Sequence, residues 1–138
     1  FTTEEIYQFI FKKNKSIHLE NFLIVPENFR NDELNDKWIE LIDIRNKCNV
    51  SIEEKRANKE IGSSLEAELK INLGKKLREL TEKIDFAELC ITSKAEIIYS
   101  DSEEIAVNAN KANGKKCSVC WKIKDKPCNR HPKCFLET

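Results

Sequence analysis

The feature that most constrains this chain lies near its end, where Cys117, Cys120, Cys128, His131 and Cys134 fall within eighteen positions. A Cys-x-x-Cys pair turns the backbone so that two thiolates face one atom. A second group of cysteine and histidine can complete a tetrahedron, the arrangement Zn²⁺ takes in structural sites. A redox dithiol needs only two thiols and usually sits where a strand meets a helix. Disulfides belong to secreted chains, and no signal peptide is visible here. The spacing therefore predicts one zinc ion. Cys117 and Cys120 are its first two ligands, and the other two come from Cys128, His131 and Cys134, because a closed site takes four. Cys128/His131 and His131/Cys134 both have the two-residue gap of a metal knuckle. Cys128 is preferred as the third ligand, and the fourth stays open between His131 and Cys134.

Charge is divided unevenly along a chain of zero formal net charge. Residues 111–138 carry eight Lys or Arg against Asp125 and Glu137, a net of +6, which leaves residues 1–110 with 16 basic and 22 acidic groups, a net of −6. A basic, cysteine-rich tail on an acidic body predicts an anionic partner, above all nucleic acid. No apolar run approaches the eighteen or so residues that span a bilayer. The expectation is a cytoplasmic monomer with reduced thiols and no membrane partner. The chain has no methionine and begins at Phe1, which predicts a piece of a longer protein.

Along the chain, Thr2-x-x-Glu5 reads as a capping box opening a helix from about Thr3 to Lys12, with Ile6, Phe9 and Ile10 on its apolar face. Residues 14–31 read as a loop, in which Phe22-Leu23-Ile24-Val25 form an extended segment pressed onto the core; His18 is given no role. Asp32 can cap a long helix from Glu33 to about Glu60, its stripe running through Leu34, Trp38, Leu41, Ile42, Ile44, Cys48 and Ile52, with Cys48 a small buried hydrophobe. Gly62 is the expected left-handed stop. Alternation predicts strands at Glu66–Leu73 and Glu104–Ala109 and, less regularly, Leu89–Tyr99, with a helix from Lys75 to Ile84. The expected class is α+β: the end of a helical bundle (residues 1–62), a small α/β unit (63–112) and a zinc-binding module (113–138).

No Ser/His/Asp set, glycine-rich phosphate loop or nucleotide fingerprint is present. A zinc ion held by four protein ligands has no open position for water and no Lewis-acid role. The residues present are expected to catalyse nothing by themselves.

Three stretches together resemble the C-terminal end of the bacterial isoleucyl-tRNA synthetases. Phe1-Thr2-Thr3-Glu4-Glu5-Ile6 is similar to that family's Phe-Thr-Ala-Glu-Glu-Ile. Ile61-Gly62-Ser63-Ser64-Leu65-Glu66-Ala67 resembles the link from the last long helix to a small α/β junction domain, and Lys116-Cys117-x-x-Cys120-Trp121 the first half of a terminal zinc site. The chain departs from the family at Val119, where an arginine is usual, and at Cys128-Asn129-Arg130-His131, where a second Cys-x-x-Cys is usual. The resemblance implies a class I enzyme that joins isoleucine to its tRNA using ATP, with catalytic and editing domains upstream. These residues would then grip the anticodon stem and loop. Lys115, Lys116, Lys122 and Arg130 are the expected phosphate contacts, and Trp121 the expected stacking group or, equally, the cover of the zinc knuckle. The alternative is a free-standing zinc module that binds DNA or protein.

Overall fold

A computed structural model describes residues 2–12, 15–127 and 131. They form two units, Phe1–Asp32 and Glu33–Thr138. Helix α1 (Thr2–Phe11) opens the first. Glu4 secures it to the following segment: its carboxylate accepts from Ser16 Oγ and from the Ile17 amide, each at 3.0 Å. Tyr7 donates to Glu20 Oε1 at 2.5 Å and stacks at a tilt on Phe11.

Phe22, Leu23, Ile24 and Val25 are exposed, so the expected packing of this segment onto a core is corrected. Successive side chains of an extended segment point to opposite sides, and four apolar residues in a row cannot all face one core. No strand among the described residues pairs with them.

In the second unit, α2 (Asp32–Ala57) lays Leu41, Ile44, Cys48 and Ile52 on the core at steps of three and four. The N-terminal part of the expected stripe, Leu34, Trp38 and Ile42, is exposed. A 26-residue helix is about 39 Å long, whereas an eight-residue strand spans about 26 Å, so the helix outruns the sheet it packs on. The helix stops at Lys59 (φ 59°), which takes the left-handed position expected of Gly62, and Glu60 N–H donates back to Lys55 O at 3.0 Å. That closing bond satisfies one of the orphan carbonyls at the helix end.

Strand β1 (Ala67–Gly74) is central, flanked by β2 (Lys94–Ser100) in parallel and β3 (Ala106–Lys111) antiparallel. Ile71 sits opposite both Ile97 and Val107. Ala67, Leu69, Ile71 and Leu73 all bury on the face that meets α2, as their alternation predicts. Ser51 of α2 accepts the Ala109 amide at 3.0 Å, fixing helix to sheet through a polar bond.

The expected Lys75–Ile84 helix is shorter: a 3₁₀ turn, Lys75–Leu77, runs into α3 (Arg78–Thr81). The expected strand from Leu89 begins only at Lys94. Asp85 caps α4 (Phe86–Leu89) by accepting from the Ala87 and Glu88 amides at 2.9 and 3.2 Å, which draws Leu89 into a helix. Cys48 and Cys90 meet in the core. The hydrogen bond that the Cys48 thiol donates to Cys90, and then burial, pushes Cys48 far above its ordinary range, so it packs as a protonated, inert group.

Candidate metal centre and nucleic-acid interface

After β3 the chain turns through Gly114 into a two-stranded hairpin, β4 (Lys115–Lys116) with β5 (Ile123–Lys124), paired Lys115 to Lys124 and Lys116 to Ile123. Gly114 has φ +126°, and a Cβ there would lie 2.5 Å from Lys124 O. Only glycine combines that backbone with that approach.

The loop between the strands is the Cys-x-x-Cys knuckle. Cys117 N–H donates to Lys122 O and Trp121 N–H to Cys117 O, both at 2.9 Å. These bonds bend six residues into a tight turn and hold Trp121 in the left-handed region at φ 63°. The Cys120 amide points at Cys117 Sγ from 3.4 Å. Such N–H···S contacts favour a thiolate, the form that binds metal. Cys117 is 0% exposed, and Cys120 and His131 are half-buried. The ligand atoms of Cys117, Cys120 and His131 lie within 4.8 Å of one another, with His131 Nδ1 3.8 Å from Cys117 Sγ. Two soft sulfurs and an imidazole nitrogen fit zinc by donor type. Cys128 and Cys134, the other expected ligands, lie outside the described residues, as does Arg130.

The hairpin is anchored to the sheet unit by three polar links. Ser93 Oγ accepts the Ile123 amide at 2.6 Å and donates to Leu65 O. Lys116 Nζ meets Glu66 Oε1 at 2.9 Å, and Lys122 Nζ meets Glu88 Oε1 at 2.6 Å. Lys116 first, and then the Gly62 amide, hold the Glu66 carboxyl below its ordinary range.

Two of the sequence-predicted phosphate contacts are thus ion-paired within the chain, and Lys122 is only 16% exposed. Lys115 is exposed, and Trp121 is 60% exposed on the outside of the knuckle. Lys94, Lys122, Lys124 and Lys126 line an open cleft of about 1010 Å³ beside Cys120 and His131, with Glu68, Glu88 and Asp125 among its acidic lining. Sequence reasoning missed Ser93, Glu66, Glu88 and Lys94. The partners of Ser93, Glu66 and Glu88 lie up to fifty residues away along the chain, Lys94 enters only through the lining of the cleft, and no local pattern marks such meetings.

Residues 1–71 match the family described as the anticodon-binding domain of tRNA ligase. The chain belongs to that family. The isoleucine–tRNA ligase of Pelagibacter ubique is 57% identical over 131 residues, covering 95% of this chain. Those of Bartonella henselae and Zymomonas mobilis are 37% and 31% identical, each over 88% of this chain. The chain spans only 13–14% of the length of these relatives. The resemblance carried by the three motifs is borne out. Within this anticodon-binding family member the matched segment takes in α1, α2 and the first part of β1, and the Cys-x-x-Cys hairpin follows it. No helix among the described residues is long and apolar enough to cross a membrane.

Proposed function

We propose that this chain is the tRNA-gripping C-terminal part of an isoleucine–tRNA ligase, an ATP-dependent enzyme of the cytoplasm whose catalytic domains lie outside it. The observation that carries the proposal is the 57% identity to such a ligase, which extends over 95% of the chain rather than over the metal hairpin alone. That extent gives no support to a free-standing zinc module. In this reading residues 1–62 end the helical anticodon-binding bundle, residues 63–112 form the α/β junction and residues 113–138 the zinc module. The whole protein acts as a monomer on the tRNA for isoleucine and needs no membrane.

Zinc supplies structure here and no chemistry. Cys117 and Cys120 hold it with two of Cys128, His131 and Cys134, and a closed site of that kind replaces the hydrophobic core that so short a hairpin lacks. The chain's own residues do the binding. Lys115, Lys116, Lys122 and Arg130 set a positive field for the phosphates of the anticodon stem and loop, and Trp121 offers a flat face to an unpaired base. Lys116 and Lys122 contribute to that field while also holding the hairpin to Glu66 and Glu88.

The test separates binding from chemistry. Deleting residues 115–138 from the full-length enzyme should leave isoleucine-dependent pyrophosphate exchange nearly intact, because the adenylate forms without tRNA. Transfer to tRNA should fall by about 10²-fold or more, the cost of misplacing a reacting group. Equal losses in both would assign the segment a global folding role, and a loss in neither would remove it from tRNA binding.

A further inference from the structure

The knuckle residues carry more detail than donor type. Two ligands of a tetrahedral zinc, one sulfur at about 2.3 Å and one nitrogen at about 2.05 Å, sit about 3.6 Å from each other. His131 Nδ1 lies 3.8 Å from Cys117 Sγ, close to that edge length, and all three donor atoms are mutually within 4.8 Å. It is Nδ1 that makes this approach.

We propose that His131 is a first-hand ligand of the zinc ion, bound through Nδ1 beside the thiolates of Cys117 and Cys120, so that the centre is a mixed sulfur–nitrogen site rather than an all-thiolate one. The inference rests on the zinc reading above and narrows it. It also has a consequence for the surface: a neutral imidazole in place of a thiolate removes one negative charge from the ion's surroundings. His131 and Cys120 line the cleft that carries Lys94, Lys122, Lys124 and Lys126, so the metal centre opposes a phosphate there less than four thiolates would.

The chain contains only two histidines, His18 and His131, which makes the ligand directly readable. The full chain, labelled with ¹⁵N-histidine and loaded with ¹¹³Cd²⁺ in place of zinc, should give one cadmium line split by coupling to a single histidine nitrogen, Nδ1. In H131A that splitting should vanish. In H131C, which restores a fourth-ligand thiolate and guards against simple unfolding, one ion should still bind, unsplit and displaced toward the all-thiolate position. One bound cadmium with no nitrogen coupling, and a line unchanged in H131A, would overturn the proposal and leave the zinc reading standing. Coupling through Nε2 would overturn the assignment to Nδ1. Failure to bind one equivalent of metal at all would sink both.

Discussion

Ser93 Oγ takes the backbone N–H of Ile123 at 2.6 Å while donating to Leu65 O, so a single hydroxyl just before β2 ties the Cys-x-x-Cys hairpin to the segment entering β1. Ser93 N–H also donates to Ala67 O at 2.9 Å. The hairpin itself pairs only two residues on each side. Its position over the sheet therefore depends on this hydroxyl and on the two lysine–glutamate pairs.

Replacing Ser93 by alanine leaves the Ile123 amide without its acceptor. An unsatisfied buried donor costs about 1–3 kcal/mol. Amide hydrogen exchange at Ile123 should quicken by one to two orders of magnitude, about 10- to 100-fold, with little change at Ile71 in the sheet core. Unchanged protection at Ile123 would show that the hairpin is held by other contacts.

Gly114 is the sharpest steric constraint on the Cys-x-x-Cys hairpin. G114A places a Cβ 2.5 Å from Lys124 O on a backbone at φ +126°, strained on both counts. The hairpin register should break and metal affinity should drop, while far-UV circular dichroism of α2 and the sheet stays near wild type. Wild-type metal stoichiometry and affinity in G114A would refute this.

Acid should loosen the same junction. Lys116, and then the Gly62 amide, lower the Glu66 carboxyl below its ordinary value. A group whose folded pKa is depressed stabilises the fold above its unfolded pKa and loses that contribution as pH falls through the folded one. Protection of the Gly62 amide, which donates to Glu66 Oε2 at 3.0 Å, should decline on acidification below the ordinary glutamate range. E66Q should show that weakening already at neutral pH, and equal behaviour of the two proteins would exclude Glu66 as its source.

Salt should distinguish two kinds of lysine. Reversing Lys115 and Arg130 to glutamate removes two of the proposed phosphate contacts, and the slope of log affinity for tRNA against log salt should fall by about two. Reversing Lys116 or Lys122 breaks a pair with Glu66 or Glu88, so hairpin stability should suffer together with affinity. A slope unmoved by the first pair would place the RNA surface elsewhere, with the Arg45–Arg56 face of α2 as the next place to test.

Several elements were legible from the residues alone, because their cause is local. The alternation of Ala67, Leu69, Ile71 and Leu73 is a property of a pleated backbone, and all four bury as the pattern requires. The three- and four-residue steps of Leu41, Ile44, Cys48 and Ile52 likewise follow from helical geometry. The Cys-x-x-Cys spacing implied a knuckle before any fold was known, and its two cysteines share one turn with His131 nearby. What depends on partners distant in sequence was not legible. Whether Leu34 and Trp38 are covered depends on how far the sheet reaches along α2. Whether Leu89 joins a strand or a helix was decided by the Asp85 cap, whose bonds to the Ala87 and Glu88 amides outweigh a mixed apolar run. The roles of Lys116 and Lys122 turn on Glu66 and Glu88, fifty and thirty-four residues away. Periodicity and spacing record how a backbone repeats, whereas an ion pair across the fold records only where two segments meet, and tertiary structure alone decides that.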